Sequence, residues 1–228
     1  MRYDAFKHSD SLTLKVADFL REAIVQGESK PGERLNELLI SSKLGISRSP
    51  IREALRILES ENLVEIHSRK GTFVRSLSPK EVEEIFEVIS MLEQTAVRRA
   101  LKHLGPGQEK ELKSIIGQLE GKRKAREFKD FLTFSMRLHH FIVEASGNGL
   151  LIKIYEDLQP QRERIRRELE IKQDEMSKSL KEHLAIARAL LIRDGEETER
   201  LLMIHMEEGV QRVLKHLSEG GARSSSLG

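Results

Sequence analysis

Two arginines four residues apart open the stretch Ser47-Arg48-Ser49-Pro50-Ile51-Arg52-Glu53-Ala54-Leu55. Read as a helix, it puts Arg48 and Arg52 on one face with Ser49 beside them, and Ile51, Leu55 and Leu58 on the other. A guanidinium is a planar fork of N–H donors that matches the acceptors on the major-groove edge of guanine. One good bidentate pair of this kind discriminates between bases by about 1–3 kcal/mol. The helix start adds positive potential toward a phosphate, and the Ser47 hydroxyl is expected to cap its first-turn amides. A second cationic point follows at Arg69 and Lys70, just before Gly71. There a hairpin tip can reach a neighbouring phosphate or the minor groove. The chemistry on offer is recognition of DNA; the spacing does not choose which of Arg48 and Arg52 meets a base.

The elements that would hold these residues follow from hydrophobic spacing. Residues 11–26 form a first helix, stopped by Gly27, and a second short helix carries Leu35, Leu38, Leu39 and Ile40 as far as Leu44-Gly45. The third runs from Ser47 to about Glu61. Two β-prone runs, 63–66 and 72–74, flank the basic tip. Three helices and a hairpin are the order of a winged helix-turn-helix. Ser78-Pro79-Lys80-Glu81 then reads as the capped start of a new helix, which places the domain boundary at 75–78. From there to about Leu217 the period is helical, with breaks at 105–107, near Arg126, at 147–149, near 173–174 and at 194–195. The fold class is therefore mainly α: a winged helix-turn-helix domain over 1–75, an all-helical bundle of about six helices over 76–217, and an aperiodic tail over 218–228 that is expected to be disordered.

Composition narrows the function. The 228 residues carry 39 Lys and Arg against 37 Asp and Glu, so the DNA argument rests on local arrangement and not on net charge. The absence of cysteine removes disulfides, thiolate metal sites and cysteine nucleophiles together. No stretch has the ~20 apolar residues needed to span a bilayer, and residues 1–10 lack the core of a signal peptide, so a cytoplasmic protein is expected. The cluster Arg162, Arg164, Arg166, Arg167 and Lys172 reads as a solvated helix face balanced by Glu163, Glu168 and Glu170.

Pro31-Gly32-Glu33-Arg34-Leu35-Asn36-Glu37, then Leu44 to Leu55, then Gly71-Thr72-Phe73-Val74 resemble the N-terminal domain of GntR-family regulators over residues 11–75. The resemblance implies that Arg34, Arg48, Ser49 and Arg52 face operator bases or phosphates, that Ser47 caps, and that Arg69, Lys70 and Gly71 form a DNA-touching wing. Leu38 departs from the arginine that some relatives carry there.

Leu92-Glu93, Leu138-His139 with 144–148, and Glu182-His183 with His205 resemble the FadR-type ligand-binding domain, FCD, over roughly 79–217. That likeness implies a divalent metal, Zn or Ni, on His139, His183 and His205, with a small-molecule effector such as an organic acid near Ser135, Ile89 and Glu93. Ser135 stands where the family's metal-binding aspartate would be, which leaves weaker binding, another ligand or no metal as alternatives. Ile89 stands where relatives often carry a carboxylate-gripping arginine, which argues against simple transfer of an organic-acid ligand and leaves as alternatives a larger or less charged effector, or a grip by another cation such as Arg98 or Arg99. His140 is a bystander beside His139.

The reading is of a homodimeric, effector-responsive transcriptional regulator and not an enzyme, with the sign of a repressor and a palindromic double-stranded operator as partner. Two alternatives come from other classes. One is a metal-dependent hydrolase on the three histidines, which lacks any motif supplying a general base. The other is an architectural DNA-binding protein whose helical domain only dimerises.

Overall fold

The computed structural model describes residues 7–125, 131–167 and 173–224. Among the described residues ten helices and three strands run in the order α1 (Lys7–Val25), β1 (Arg34–Leu35), α2 (Glu37–Leu44), α3 (Arg48–Ser60), β2 (Val64–His67), β3 (Gly71–Val74), α4 (Pro79–His103), α5 (Pro106–Ala125), α6 (Phe131–Ala145), α7 (Gly149–Asp157), α8 (Gln159–Arg167), α9 (Gln173–Leu191) and α10 (Gly195–Ser224). No helix among the described residues is long and apolar enough to cross a membrane. The expected break near Arg126 lies outside the described residues.

The chain divides into two compact units. The first comprises residues 1–78 together with α8. Its core is the inner face of α3, where Ile51, Ala54, Leu55 and Leu58 are buried, closed by α1 and the sheet. Leu35 does not start the second helix as its periodicity suggested. It pairs instead with Thr72 across an antiparallel β1–β3 ladder, so the expected hairpin is the larger part of a three-stranded sheet of order β1-β3-β2. The cause is visible at Asn36, whose side-chain oxygen accepts from the amides of Leu38 (2.9 Å) and Leu39 (3.4 Å) and so begins α2 at Glu37. Gly45 ends that helix in the left-handed conformation, φ +65°.

The second unit comprises 79–158 and 168–228, so it is not the continuous 76–217 segment read from the sequence. Helix α8 departs from that segment, and Pro160 near its start marks where the expected continuous helix divides into α7 and α8. Helix α8 packs on α1, and the Gln161 side chain donates to the Glu61 carbonyl at the end of α3 (2.9 Å). Arg162 and Arg164 are consequently buried and not on the solvated face expected of them. In the second unit α4 packs against α6 and α10, and α9 against α5 and α10, around a core that includes Ile89, Leu138, Ile142 and Leu184. Helix α10 continues to Ser224, past the start of the aperiodic tail expected from 218, and residues 225–228 of that expected tail lie outside the described residues. Extending an existing helix costs far less than nucleating one, so Gly220 and Gly221 do not stop it.

Candidate functional site

In the first unit Glu37 is the hub. Its position one residue after the Asn36 cap points it at α3, where its Oε2 accepts from Nη2 of both Arg48 and Arg52 at 3.2 Å each. Partial burial pushes the Glu37 pKa up, but the hydrogen bonds from Arg52 and Arg48 and their charges outweigh it, and the carboxyl is held below the usual carboxylate range. The two arginine side chains remain about half exposed, at 51% and 53%, so the rest of each fork faces solvent. Beside them Leu38 is exposed in the first turn of α2.

Ser47 has the extended backbone of a cap residue, φ −67° and ψ 162°, yet its side chain makes no capping hydrogen bond. This corrects the role expected of it. The third helical position is Pro50, which has no N–H to offer, so the usual recipient of the bond is missing. Ser47 and Ser49 are both exposed.

Arg34 and Gly71 meet at the wing. A Cβ added to Gly71 would lie 2.9 Å from Arg34 Nε, and its φ of +111° already disfavours a side chain. Arg69 and Lys70 are exposed on the turn, Arg69 with φ +64°. Sequence reasoning assigned Glu37 no role; its adjacency to a cap residue was the signal that aims it at α3.

In the second unit His139 on α6, His183 on α9 and His205 on α10 come together, with one ligand nitrogen from each lying within 4.8 Å of the others. All three are buried. Every ring is oriented by an acceptor on its Nδ1: Glu93 Oε2 at 2.6 Å for His139, the Ser179 carbonyl at 2.7 Å for His183, and Glu182 Oε2 at 2.7 Å for His205. An acceptor without a proton fixes the hydrogen on Nδ1, which leaves Nε2 as the nitrogen carrying the lone pair. His139 Nε2 and His183 Nε2 are 3.1 Å apart, a separation at which two lone pairs repel and a proton or cation binds them together. Burial pushes the Glu182 pKa up; the hydrogen bond from His205 and the nearby Arg212 guanidinium more than offset this and lower it.

The residues around the histidines complete the picture. Glu93 is fully buried and also accepts from the Tyr155 hydroxyl at 2.8 Å. Ser135 Oγ lies 3.0 Å from His183 Nε2, so it borders the centre as a neutral oxygen. Ile89 is buried in the core. Arg98 and Arg99 do not take the place of an arginine at 89: Arg98 pairs with Glu199 at 2.7 Å on the surface, and Arg99 donates to the Ser146 carbonyl. Each has its own partner on its own side of α4. His140 turns its edge to Tyr155 with ring centroids 5.6 Å apart and is not part of the cluster. Three imidazoles with anchored Nδ1 atoms and a neighbouring oxygen form a donor set that fits a borderline divalent ion, Zn or Ni.

Residues 12–74 match the bacterial regulatory proteins of the gntR family, and residues 84–208 match the FCD domain. The chain belongs to the GntR family. As a GntR regulator it is 31% identical over 207 residues to the HTH-type transcriptional regulator YdhC of Bacillus subtilis, spanning 89% of this chain and 90% of that one. It is 30% identical over 199 residues to the gluconate operon transcriptional repressor of the same organism, over 85% and 79% of the two chains. The solved structure of E. coli McbR/YncC shares the fold, with a TM-score of 0.74 at 24% identity over 90% of this chain and 98% of that one. The metal-free FCD domain of TM0439 superposes with a TM-score of 0.56 over 63% of this chain and 99% of that domain, at 23% identity. The regulator's two domains and its relatives are those of DNA-binding transcription regulators and not of enzymes.

Proposed function

We propose that this regulator is a repressor that binds a palindromic operator as a homodimer and answers to a small-molecule effector at a metal held by His139, His183 and His205. The observation that carries the effector half is the convergence of three buried imidazoles whose Nδ1 atoms are all anchored. A hydrogen-bonding arrangement of this kind pre-orients ligands at the expense of lone-pair repulsion, which a divalent cation relieves. When bound, the metal would supply open positions able to take an oxygen of an effector such as an organic acid. Ser135 borders those positions without adding charge, and Ile89 contributes only apolar surface; the effector carboxylate would lean on the metal and not on an arginine.

The DNA half is supported by the exposed, paired forks of Arg48 and Arg52, the exposed Ser47 and Ser49 at the amide end of α3, and the Arg34–Gly71 contact beside the Arg69-Lys70 turn. In this arrangement Arg48 and Arg52 meet base edges, the serines and helix amides meet a phosphate, and the wing steadies the register. A twofold dimer then requires two half-sites in inverted order.

The test is metal analysis of untagged protein and of the His139→Ala and His183→Ala variants, with operator selection from a random duplex pool before and after chelation. Near-stoichiometric Zn or Ni that is lost in both variants, with an inverted-repeat operator selected, is the expected result. Absence of metal from wild type supplied with Zn and Ni would refute the effector half; selection of no sequence would refute the DNA half.

A further inference from the structure

The shared carboxylate of Glu37 sets a negative charge at a surface that would meet DNA, where an anion weakens binding. We propose that Glu37 is a specificity-determining residue: it holds Arg48 and Arg52 in position for base edges and repels the phosphate backbone from those same two arginines. The proposal rests on the reading that α3 meets DNA and extends it to a residue on α2.

Geometry supports both parts. One oxygen, Glu37 Oε2, receives one Nη2 from each arginine at 3.2 Å, so a single anchor fixes two long side chains that otherwise lose considerable rotamer freedom on binding. Only one terminal nitrogen of each fork makes this contact, and with the side chains half exposed the remaining donors can meet the two acceptors of a guanine. The anchor is itself fixed. Glu37 is only 24% exposed and stands in the first turn of α2, where helix amides stabilise a negative charge, with the Asn36 cap determining its direction.

The electrostatic part follows from charge. Two arginines carrying a shared carboxylate present a net charge of about one and not two, and a phosphate approaching them is repelled by the carboxylate at close range. A guanine edge is neutral and does not incur that penalty. Non-specific binding is dominated by phosphate contacts and their counterion release, so a fixed anion lowers it more than it lowers base-specific binding. The discrimination therefore arises from a residue that weakens the wrong complex as well as from those that strengthen the right one.

The experiment uses the full-length protein with an operator obtained by selection and a random-sequence duplex of equal length, measuring affinity for each over a range of salt. For Glu37→Gln we expect random-duplex affinity to rise about tenfold with a salt slope steeper by about one, and operator affinity to stay flat or fall, so that the specificity ratio drops by at least about tenfold. Glu37→Asp, which keeps the charge but shortens the reach, should leave random-duplex binding near wild type while operator affinity falls. Equal changes on both duplexes, or an unchanged ratio and slope, would overturn the proposal. Wild type selecting no sequence at all is a separate failure, that of the DNA reading beneath it.

Discussion

Glu37 and Glu93 each bridge two partners with one carboxylate, in surroundings that differ in almost every other respect. Glu37 lies at the edge of the first unit between two half-exposed arginines. Glu93 is fully buried in the second, between His139 and the Tyr155 hydroxyl. Water competes for the first pair of bonds and not for the second. An exposed bridge is therefore worth little to stability even where it orients its partners, whereas a buried one is costly to break. The two roles proposed for these units suit that difference: a DNA-reading surface would need donors within reach of solvent and so of a base, and a metal centre would need its ligands held still.

The largest effect that would sharpen this contrast is at the buried bridge. Glu93→Ala leaves the His139 Nδ1–H and the Tyr155 hydroxyl without their acceptor and should cost about 3 kcal/mol in chemical denaturation. Zn affinity measured by calorimetry should fall about 10- to 100-fold, because His139 loses the partner that orients it. Glu93→Gln, which retains an acceptor, should fall between the two; if alanine were tolerated within about 0.5 kcal/mol, the contrast would collapse.

A middle effect is expected at the wing. Gly71→Ala imposes a side chain at φ +111° and crowds Arg34 Nε, so we expect a loss of about 1–2 kcal/mol in the urea midpoint together with weaker operator binding. Stability lost without any change in DNA affinity would detach Arg34 from the interface.

The smallest effect concerns pH. The Glu37 carboxyl is held below its ordinary value in the folded protein, so it contributes stability fully above the unfolded carboxylate pKa of about 4.3, and this is lost as pH falls through the lower folded value. Because the arginines are half exposed, the contribution is only a few tenths of a kcal/mol. Wild type and Glu37→Gln should thus differ slightly in stability at pH 7 and converge in acid. A gap that widened as the pH fell would reverse the sign of the argument.

What could be read in advance divides along similar lines. The helical faces of α1 and α3, the β2–β3 runs and the breaks at Gly105 and Gly147 were legible because periodicity and turn chemistry are local. Strand β1 was not: two residues, Arg34 and Leu35, carry no period, and only pairing with β3 makes them a strand. The three histidines were legible through family likeness, but the Glu93–His139 bond joins residues 46 apart and exists only because α4 packs on α6. The absent cap at Ser47 was legible in principle from Pro50, since a missing N–H is a property of the sequence. The burial of Arg162 and Arg164 was not, as no local pattern records what covers a helix.

Helix α8 has a consequence for how such proteins are assembled by inheritance. It lies inside the FCD match over residues 84–208, yet it groups with the first unit and packs on α1. A recombination joining the head of one regulator to the body of another at residue 78 therefore exchanges α1 but keeps the body's α8. The graft carries a seam in a place the domain border does not mark, and the new α1 meets nine residues encoded some eighty codons downstream of that border.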